Sequence, residues 1–193
     1  MNTATKITLS RFVITPLFFL GFYFLAYLPQ EPVSLMGIIV LLTLFIVSEI
    51  SDVADGFVAR RYNQVTDLGK LMDPFADVIF RVTYFVCFAA VRWVPWWAVM
   101  IILWREYTIM FIRMLLIKEG TALAASVWGK LKAGFYFLTG LAGMIMLILE
   151  QAAPTLVPTG LVVIGWLARL SALMALFSLI SYLILFARRN RTN

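Results

Sequence analysis

The chain alternates between long apolar runs and short polar or proline-containing stretches. Six of the apolar runs are long enough to cross a bilayer, which requires about 20 helical residues. We predict spans at approximately 12–28, 33–62, 69–92, 98–117, 127–149 and 159–187. A short amphipathic stretch with Lys6 and Arg11 precedes the first span. The predicted fold is therefore all-α: a single polytopic membrane domain, residues 1–193, with six transmembrane helices and an amphipathic N-terminal segment.

The second apolar run is longer than a bilayer requires. At 1.5 Å per residue, about 30 helical residues extend for roughly 45 Å. We therefore expect the last turns of this helix, which carry Asp52, Asp55 and Arg60, to protrude into water.

Composition separates this chain from soluble proteins. Hydrophobic residues make up 63% of the sequence and charged residues only 13%, whereas a water-facing surface needs far more charge. The net charge is +6 with no His, and one Cys, Cys87, excludes an internal disulfide. Because the basic residues lie at or within spans, we expect anionic lipid or phosphate partners and no nucleic acid. No small-residue cleavage site follows the N-terminal segment, so we expect no cleavable signal peptide.

The distribution of basic residues predicts the orientation of the chain. Cytoplasmic segments of membrane proteins are enriched in Lys and Arg. With six spans, Arg92 is nearly alone on one side. The other side carries Lys6, Arg11, Arg60, Arg61, Lys70, Lys118, Lys130, Lys132, Arg188, Arg189 and Arg191. Both termini and the acidic residues described next are therefore predicted to be cytoplasmic.

A polar motif at the junction of the second and third spans carries the candidate chemistry. It reads D-x2-D-G-x2-A-R-x8-G-x3-D-x3-D from Asp52 to Asp77. Asp52 and Asp55 share one face of the second helix, and Asp73 and Asp77 share one face of the third. Two antiparallel helices can bring these carboxylates together, and their mutual repulsion requires cations. Two Mg²⁺ or Mn²⁺ ions would suit both the ligands and phosphoryl displacement.

The other residues of the motif suit a phosphate-bearing ligand. Gly56 and Ala59 lack bulk, which allows close helix packing, room for a nucleotide, or both. Gly69 begins the third span, where backbone N–H groups can meet a phosphate. Arg60 can contact phosphate through two parallel hydrogen bonds, although the positive-inside rule alone also explains an Arg there.

A second basic group lies in the fourth and fifth spans. Arg113, Lys130 and Lys132 are interpreted as an anion site, because a phosphate-bearing acceptor requires several cations. Arg105 lies well inside the fourth span beside Glu106. The two form either an internal charge pair that orients the helix or part of this acceptor phosphate site, and the sequence favours neither.

The acidic motif resembles the signature of the CDP-alcohol phosphatidyltransferases. All eight fixed positions and both spacings match, and the six-span layout extends the resemblance over nearly the whole chain. The resemblance implies that a phosphatidyl group is transferred to an alcohol and CMP is released. It implies that Asp77 completes a two-metal site and acts as general base, and that the chain forms a homodimer in the bacterial cytoplasmic (inner) membrane. The implied metal ligands are Asp52, Asp55 and Asp73, and the implied CDP-binding residues are Gly56, Ala59 and Arg60.

Further stretches are similar to the bacterial phosphatidylglycerophosphate synthases of this family. They are residues 7–11, Arg105–Glu106 with Arg113, and residues 124–132. This similarity implies CDP-diacylglycerol and glycerol 3-phosphate as substrates. The chain departs from that group at residues 110–112 and 133–136, and inositol phosphate, serine and choline remain alternative acceptors.

A cation transporter with intramembrane acidic ligands is the rival class. It predicts acids near mid-bilayer and broken helices in matching halves of the chain. Here the acids lie at predicted span ends, which favours the enzyme.

Overall fold

The structure, a computed structural model, describes residues 3–27, 35–61, 67–118 and 127–189, with their side chains except at 3–6, 53, 55–61, 67–71, 117, 118 and 189. These residues form helices apart from the turn at 91–95 and Ala153, and no strand occurs among them. A short 3-10 turn, Pro154–Leu156, lies between the last two long helices. The long helices are α1 Thr3–Tyr27, α2 Leu35–Arg61, α3 Asp67–Ala90, α4 Trp96–Lys118, α5 Val127–Ala152 and α6 Val157–Arg189.

The predicted all-α class is confirmed, and each helix matches a predicted segment to within a few residues, except at the start of α1. The amphipathic stretch and the first predicted span form one helix, α1, which continues through Pro16. A proline removes one backbone donor, but it does not end this helix. Helix α3 begins at Asp67, so Gly69 lies in its first turn and is not its first residue.

Four of the helical segments are long and apolar enough to cross a membrane: Ile7–Tyr27, Leu35–Asp52, Val127–Ala152 and Pro154–Arg188. Helices α3 and α4 are 24 and 23 residues long, but every 18-residue stretch of either helix contains more than two charged residues. By length and composition, four of the six predicted spans qualify as membrane-crossing segments. The prediction of six spans is therefore confirmed only in part. The chain is a multi-pass membrane protein.

Large apolar side chains cover the outside of the helices as well as their packed faces. Examples are Leu17, Trp104, Phe111 and Ile184, which are 50%, 62%, 58% and 47% exposed. A water-soluble helix would carry polar residues on such a face. This surface suits contact with lipid chains.

The chain divides into two compact units. The first unit contains residues 1–87 and 147–154, and the second contains residues 88–146 and 155–193. The acidic motif belongs to the first unit, and the second basic group belongs to the second.

In the first unit, α1, α2 and α3 alternate in direction. Thr8 contacts Asp73 and Phe18 contacts Phe80, so α1 and α3 run parallel and side by side. Helix α2 runs antiparallel to both, as its contacts with each show. This arrangement brings the start of α1, the end of α2 and the start of α3 to one end of the unit.

In the second unit, α4 and α6 run parallel. Arg105 contacts Ser178 and Arg113 contacts Tyr182, so the paired residue numbers rise together. The packed face of α6 is made of small buried residues, which allow neighbouring helices to approach closely. They are Ala168, Ser171, Ala172, Ala175 and Ser178.

Candidate active site

Acidic residues gather where the helices of the first unit end. Asp52 lies on α2, and Asp73 and Asp77 lie one turn apart on α3. The sequence of α2 is apolar up to Val47 and becomes rich in charged residues from Glu49 to Arg61. The acidic cluster, which we define as Asp52, Asp73 and Asp77, therefore lies toward the polar end of α2.

Arg81 links two of these carboxylates. Its Nη2 atom lies 2.9 Å from Oδ1 of Asp77, one turn earlier on α3, and 3.4 Å from Oδ2 of Asp52 on α2. The Arg81 side chain is 11% exposed. A buried arginine requires anionic partners, and here they come from two helices. Arg81 thus fixes Asp52 and Asp77 as neighbours.

Helix α1 supplies two further polar contacts. Arg11 Nη1 donates a hydrogen bond of 2.8 Å to Oδ1 of Asp52, and the Arg11 side chain is only 1% exposed. The Thr8 hydroxyl donates a 2.6 Å hydrogen bond to Oδ1 of Asp73. Thr8 and Arg11 are three residues apart and share a helix face. One face of α1 therefore contacts an acid on each of the other two helices.

Aromatic packing fixes α1 in this position. The rings of Phe12 and Phe75 stack with centroids 5.8 Å apart, and Phe18 meets the ring of Phe80 edge-on at 5.4 Å. Such pairs contribute about 0.5–1.5 kcal/mol beyond their buried area. Phe12 and Phe75 lie next to the polar contacts in sequence, so they hold Thr8 and Arg11 against the acids.

The acidic cluster suits a hard divalent cation in its chemistry. Its oxygen donors come from two packed helices, and Mg²⁺ and Mn²⁺ take such ligands. The described side chains do not by themselves form a group of three potential ligands. Asp55 follows Asp52 by three residues on α2, and its side chain lies outside those described. In the described residues, Arg11 and Arg81 supply the positive charge that compensates the carboxylates.

Several predicted site residues fall on helices whose local side chains are outside the described set. The backbone places Asp55, Gly56, Ala59 and Arg60 in the last turns of α2 and Gly69 in the first turn of α3. These positions agree with the predicted helices. The metal and CDP-binding roles of these residues stay predictions.

The second unit contains a buried charge network around Glu106. Its Oε1 accepts a hydrogen bond of 2.6 Å from Nζ of Lys132, and its Oε2 accepts one of 2.8 Å from Nη1 of Arg105. Arg105 also donates to the Ser178 hydroxyl at 2.7 Å. The three charged residues are 3–6% exposed. This network, which we call the Glu106 network, ties α4 to α5 and α6 and carries one net positive charge.

The other two residues of the predicted acceptor site lie outside the Glu106 network. Arg113 lies two turns beyond Arg105 on α4. It donates a long hydrogen bond of 3.4 Å to the Tyr182 hydroxyl, and its guanidinium lies 5.8 Å from the ring centroid. Lys130 is exposed near the start of α5. The structure thus joins Arg105 and Lys132 through one carboxylate and gives Arg113 a different partner.

Sequence reasoning did not identify Thr8, Arg11 and Arg81 as site residues. Arg81 offered a usable signal, because an arginine inside a predicted span normally has an acidic partner and Asp77 lies one turn away. Arg11 was interpreted as a marker of the cytoplasmic side. Its contact with Asp52 joins positions 41 residues apart, which helix periodicity does not reveal.

Comparison with known proteins identifies the family of the chain. Residues 1–185 match the family described as CDP-alcohol phosphatidyltransferase. Three bacterial relatives are named CDP-diacylglycerol–glycerol-3-phosphate 3-phosphatidyltransferase. The one from Treponema pallidum (strain Nichols) is 38% identical over 110 residues, which are 57% of this chain and 51% of the relative. The one from Bacillus subtilis (strain 168) is 32% identical over 143 residues, 68% of this chain and 70% of the relative.

The third relative, from Wigglesworthia glossinidia brevipalpis, is 33% identical over 147 residues, 72% of this chain and 74% of the relative. The chain therefore spans between about half and three quarters of the length of these relatives. The family match covers all six helices except the last residues of α6. On this match, the chain belongs to the CDP-alcohol phosphatidyltransferase family.

Proposed function

We propose that this chain transfers the phosphatidyl group of CDP-diacylglycerol to glycerol 3-phosphate, forming phosphatidylglycerophosphate and CMP. The acidic cluster carries the proposal, because it consists of family-motif residues that the packing of α2 against α3 brings together around Arg81. The names of the three bacterial relatives support this pair of substrates. The whole chain would form one catalytic domain.

The proposed topology has six membrane crossings. Helix α3 lies parallel to α1 from Thr8–Asp73 to Phe18–Phe80, so it occupies the same layer as a candidate span. Helix α4 lies parallel to α6 in the same way. Four of the charges that set α3 and α4 apart form ion pairs inside the protein, Asp77 with Arg81 and Arg105 with Glu106, and such pairing lowers the cost of placing them in a membrane. Both helices can therefore cross the bilayer.

The proposed orientation places both termini and the acidic cluster at the cytoplasmic face of a bacterial cytoplasmic membrane. The Lys and Arg bias supports it. This position serves two substrates of opposite polarity. The acyl chains of CDP-diacylglycerol would enter from the bilayer, and glycerol 3-phosphate would enter from water.

The proposed cofactor is a pair of Mg²⁺ or Mn²⁺ ions held by Asp52, Asp55, Asp73 and Asp77. The family is generally dependent on divalent metals. When bound, such ions neutralise the diphosphate and stabilise charge on the displaced CMP. We assign Gly56, Ala59, Arg60 and Gly69 to the CDP pocket from the motif.

The proposed step is an in-line displacement. A hydroxyl oxygen of glycerol 3-phosphate attacks the phosphorus that bears the diacylglycerol, and the bond from that phosphorus to the oxygen of CMP breaks. Asp77 accepts the hydroxyl proton. Its ion pair with Arg81 at 2.9 Å holds the carboxylate in position, and a carboxylate is in general a weak base toward a hydroxyl proton. Positioning of the two substrates must therefore supply much of the rate.

Thr8 and Arg11 are proposed as positioning residues. Each contacts an acid of the cluster from α1, Thr8 at Asp73 and Arg11 at Asp52. Hydrogen bonds of this kind fix the orientation of a ligating carboxylate. We infer that α1 sets the geometry of the cluster without touching the reacting atoms.

The proposed acceptor site uses Arg105, Arg113, Lys130 and Lys132. Glu106 compensates one of the two buried cations in its network, and Arg113 and Lys130 add positive charge. This excess favours an acceptor that carries a phosphate. Inositol phosphate meets the same requirement, and the relatives' names favour glycerol 3-phosphate.

A homodimer is also proposed, on family resemblance. The small residues Ser171, Ala172 and Ala175 are buried within the second unit, so a dimer contact would use other surfaces. Cross-linking of the protein in membranes, followed by denaturing electrophoresis, tests this proposal. A pattern containing only monomer at all cross-linker concentrations would overturn it.

One assay decides the reaction. Purified protein is given CDP-diacylglycerol, Mg²⁺ and one acceptor at a time, and CMP release is measured for glycerol 3-phosphate, inositol phosphate, serine and choline. We expect glycerol 3-phosphate to give the highest kcat/KM. A higher value for another acceptor would overturn the acceptor, and no CMP release with any acceptor would overturn the reaction class.

A further inference from the structure

An open cavity of about 440 Å³ lies at the surface of the second unit, apart from the Glu106 network. Five of its lining residues are Arg92, Trp93, Trp96, Gly165 and Arg169. Arg92 and the tryptophans belong to the turn after α3 and the start of α4, and the other two belong to α6. Neither guanidinium forms an ion pair with an acidic side chain in the part of the chain that the structure describes. Two exposed arginines thus line this cavity, and none of its described lining residues is acidic.

Arg92 is held at the cavity by an unusual backbone conformation. Its φ is 64°, a left-handed conformation that glycine adopts far more readily. The Arg92 N–H donates to the Ala89 carbonyl at 3.0 Å, and the Trp93 N–H donates to the Phe88 carbonyl at 2.9 Å. These are the two hydrogen bonds of a Schellman helix end, whose left-handed position usually carries glycine. The chain therefore has a guanidinium where the backbone favours glycine.

Arg169 reaches the cavity from within a candidate membrane span, Pro154–Arg188. Its guanidinium lies 5.3 Å from the centroid of the Trp166 ring, an arrangement that orients a cation. Gly165 leaves room for it, because a Cβ there would lie 3.1 Å from Nη1 of Arg169. An arginine in a span is costly and indicates a binding function.

These features suit a phosphate group. Guanidinium groups bind phosphate through charge-assisted, often paired hydrogen bonds. Trp93 and Trp96 flank the arginines, and tryptophan favours the membrane–water interface. By the proposed topology, this turn lies at the non-cytoplasmic face of the membrane.

We propose that this cavity is a binding site for the phosphate group of an anionic phospholipid, separate from the proposed reaction centre. A free phosphate ion shares the recognised chemistry and is the other possible source of the group. The proposal does not depend on the proposed reaction, since none of its residues takes part in it.

Calorimetric titration of the purified full-length protein tests the site. The probes are dihexanoyl phosphatidylglycerol, dihexanoyl phosphatidylcholine and inorganic phosphate. Both lipids are used below their critical micelle concentrations. We expect phosphatidylglycerol to bind and phosphatidylcholine to bind at least tenfold more weakly. Tighter binding of inorganic phosphate than of phosphatidylglycerol would support the cavity as a phosphate site and identify a soluble ion as its source. Equal affinity for both lipids would overturn the proposal.

Substitutions locate the binding. Arg92→Gln and Arg169→Gln should each weaken phosphatidylglycerol binding about tenfold, as expected for one lost charge-assisted hydrogen bond. Arg188→Gln removes an exposed arginine of α6 outside the cavity and is the matched control. Unchanged binding in both cavity variants, or an equal loss in the control, would overturn the proposal.

Arg92→Gly separates binding from folding. Glycine relieves the left-handed backbone, so Tm should rise by a few degrees while phosphatidylglycerol binding falls about tenfold. A merely structural arginine would give the rise without the loss, and that result would overturn the proposal.

Discussion

Arg81 and Asp77, one turn apart on α3, form an ion pair of 2.9 Å at the polar end of the first unit. The same Arg81 nitrogen lies 3.4 Å from Asp52 on α2. Two carboxylates of the family motif are therefore held by one cation that is not part of the motif. This relationship makes the geometry of the proposed catalytic base depend on a residue inside a predicted span.

Arg81→Met should destabilise the protein. The variant removes the cation that Asp52 and Asp77 share. Because these carboxylates are 33% and 23% exposed, the cost should be smaller than the about 3–5 kcal/mol of a fully buried ion pair. We expect a lower Tm in detergent, and a larger rise in Tm on adding Mg²⁺ than wild type shows, because the metal can replace the lost charge. Arg188→Met is the matched control and should leave both values unchanged. An equal Mg²⁺ effect in Arg81→Met and wild type would contradict this account.

Asp77→Asn should abolish CMP release while leaving CDP-diacylglycerol binding partly intact. The amide keeps the shape of the side chain but cannot accept the proton of the acceptor hydroxyl. CMP release and binding of the nucleotide lipid are measured separately. Substantial residual turnover would show that another group is the base.

Sequence reasoning located the helices because apolar periodicity and span length dominate a membrane chain. It predicted that α2 and α3 would bring acids together, and Asp52 and Asp77 are indeed neighbours through Arg81. It could not supply the contribution of α1. The contacts of Thr8 and Arg11 depend on how the helices pack, and packing is not encoded in the spacing of residues along one helix.

The second basic group illustrates the same limit. The sequence was compatible with two interpretations of Arg105–Glu106, an internal charge pair or part of an anion site. Lys132 was interpreted as a phosphate ligand. In the structure both cations share the Glu106 carboxylate. Whether a lysine contacts a ligand or a buried acid depends on which faces of neighbouring helices pack together. The pairing of helix faces cannot be read from a single sequence.

Chelation should remove activity, and Mg²⁺ or Mn²⁺ should restore it. Asp52→Ala should weaken binding of CDP-diacylglycerol as well as turnover, because the proposed metals hold the diphosphate. Thr8→Val is a useful comparison, since it removes the hydroxyl that donates to Asp73 while Asp73 itself is kept, and it should lower turnover by a smaller factor. Binding of CDP-diacylglycerol is measured without any acceptor, so that no transfer takes place. Turnover is measured as CMP release with glycerol 3-phosphate present. Full activity in excess EDTA would rule out the metal mechanism.

Glu106→Gln should destabilise the second unit. The neutral amide leaves Arg105 and Lys132 buried with uncompensated charges, and a change of this kind costs several kcal/mol. Glu150→Gln, an exposed acid at the end of α5, is the control. We expect a clear drop in Tm for Glu106→Gln alone. If the variant keeps its Tm but loses affinity for glycerol 3-phosphate, the Glu106 network serves the acceptor and not the fold.

Arg113→Ala should raise the KM for glycerol 3-phosphate far more than the KM for CDP-diacylglycerol. The hydrogen bond from Arg113 to Tyr182 is long, at 3.4 Å, so an acceptor phosphate can replace it at little cost. Loss of a charged hydrogen bond is worth about 1.5–3 kcal/mol, which corresponds to at least a tenfold change in KM. Tyr182→Phe removes only the hydroxyl, keeps the ring beside Arg113, and should change the acceptor KM by a much smaller factor. Equal changes in both KM values for Arg113→Ala would show that this arginine supports the fold of the second unit and does not bind the acceptor.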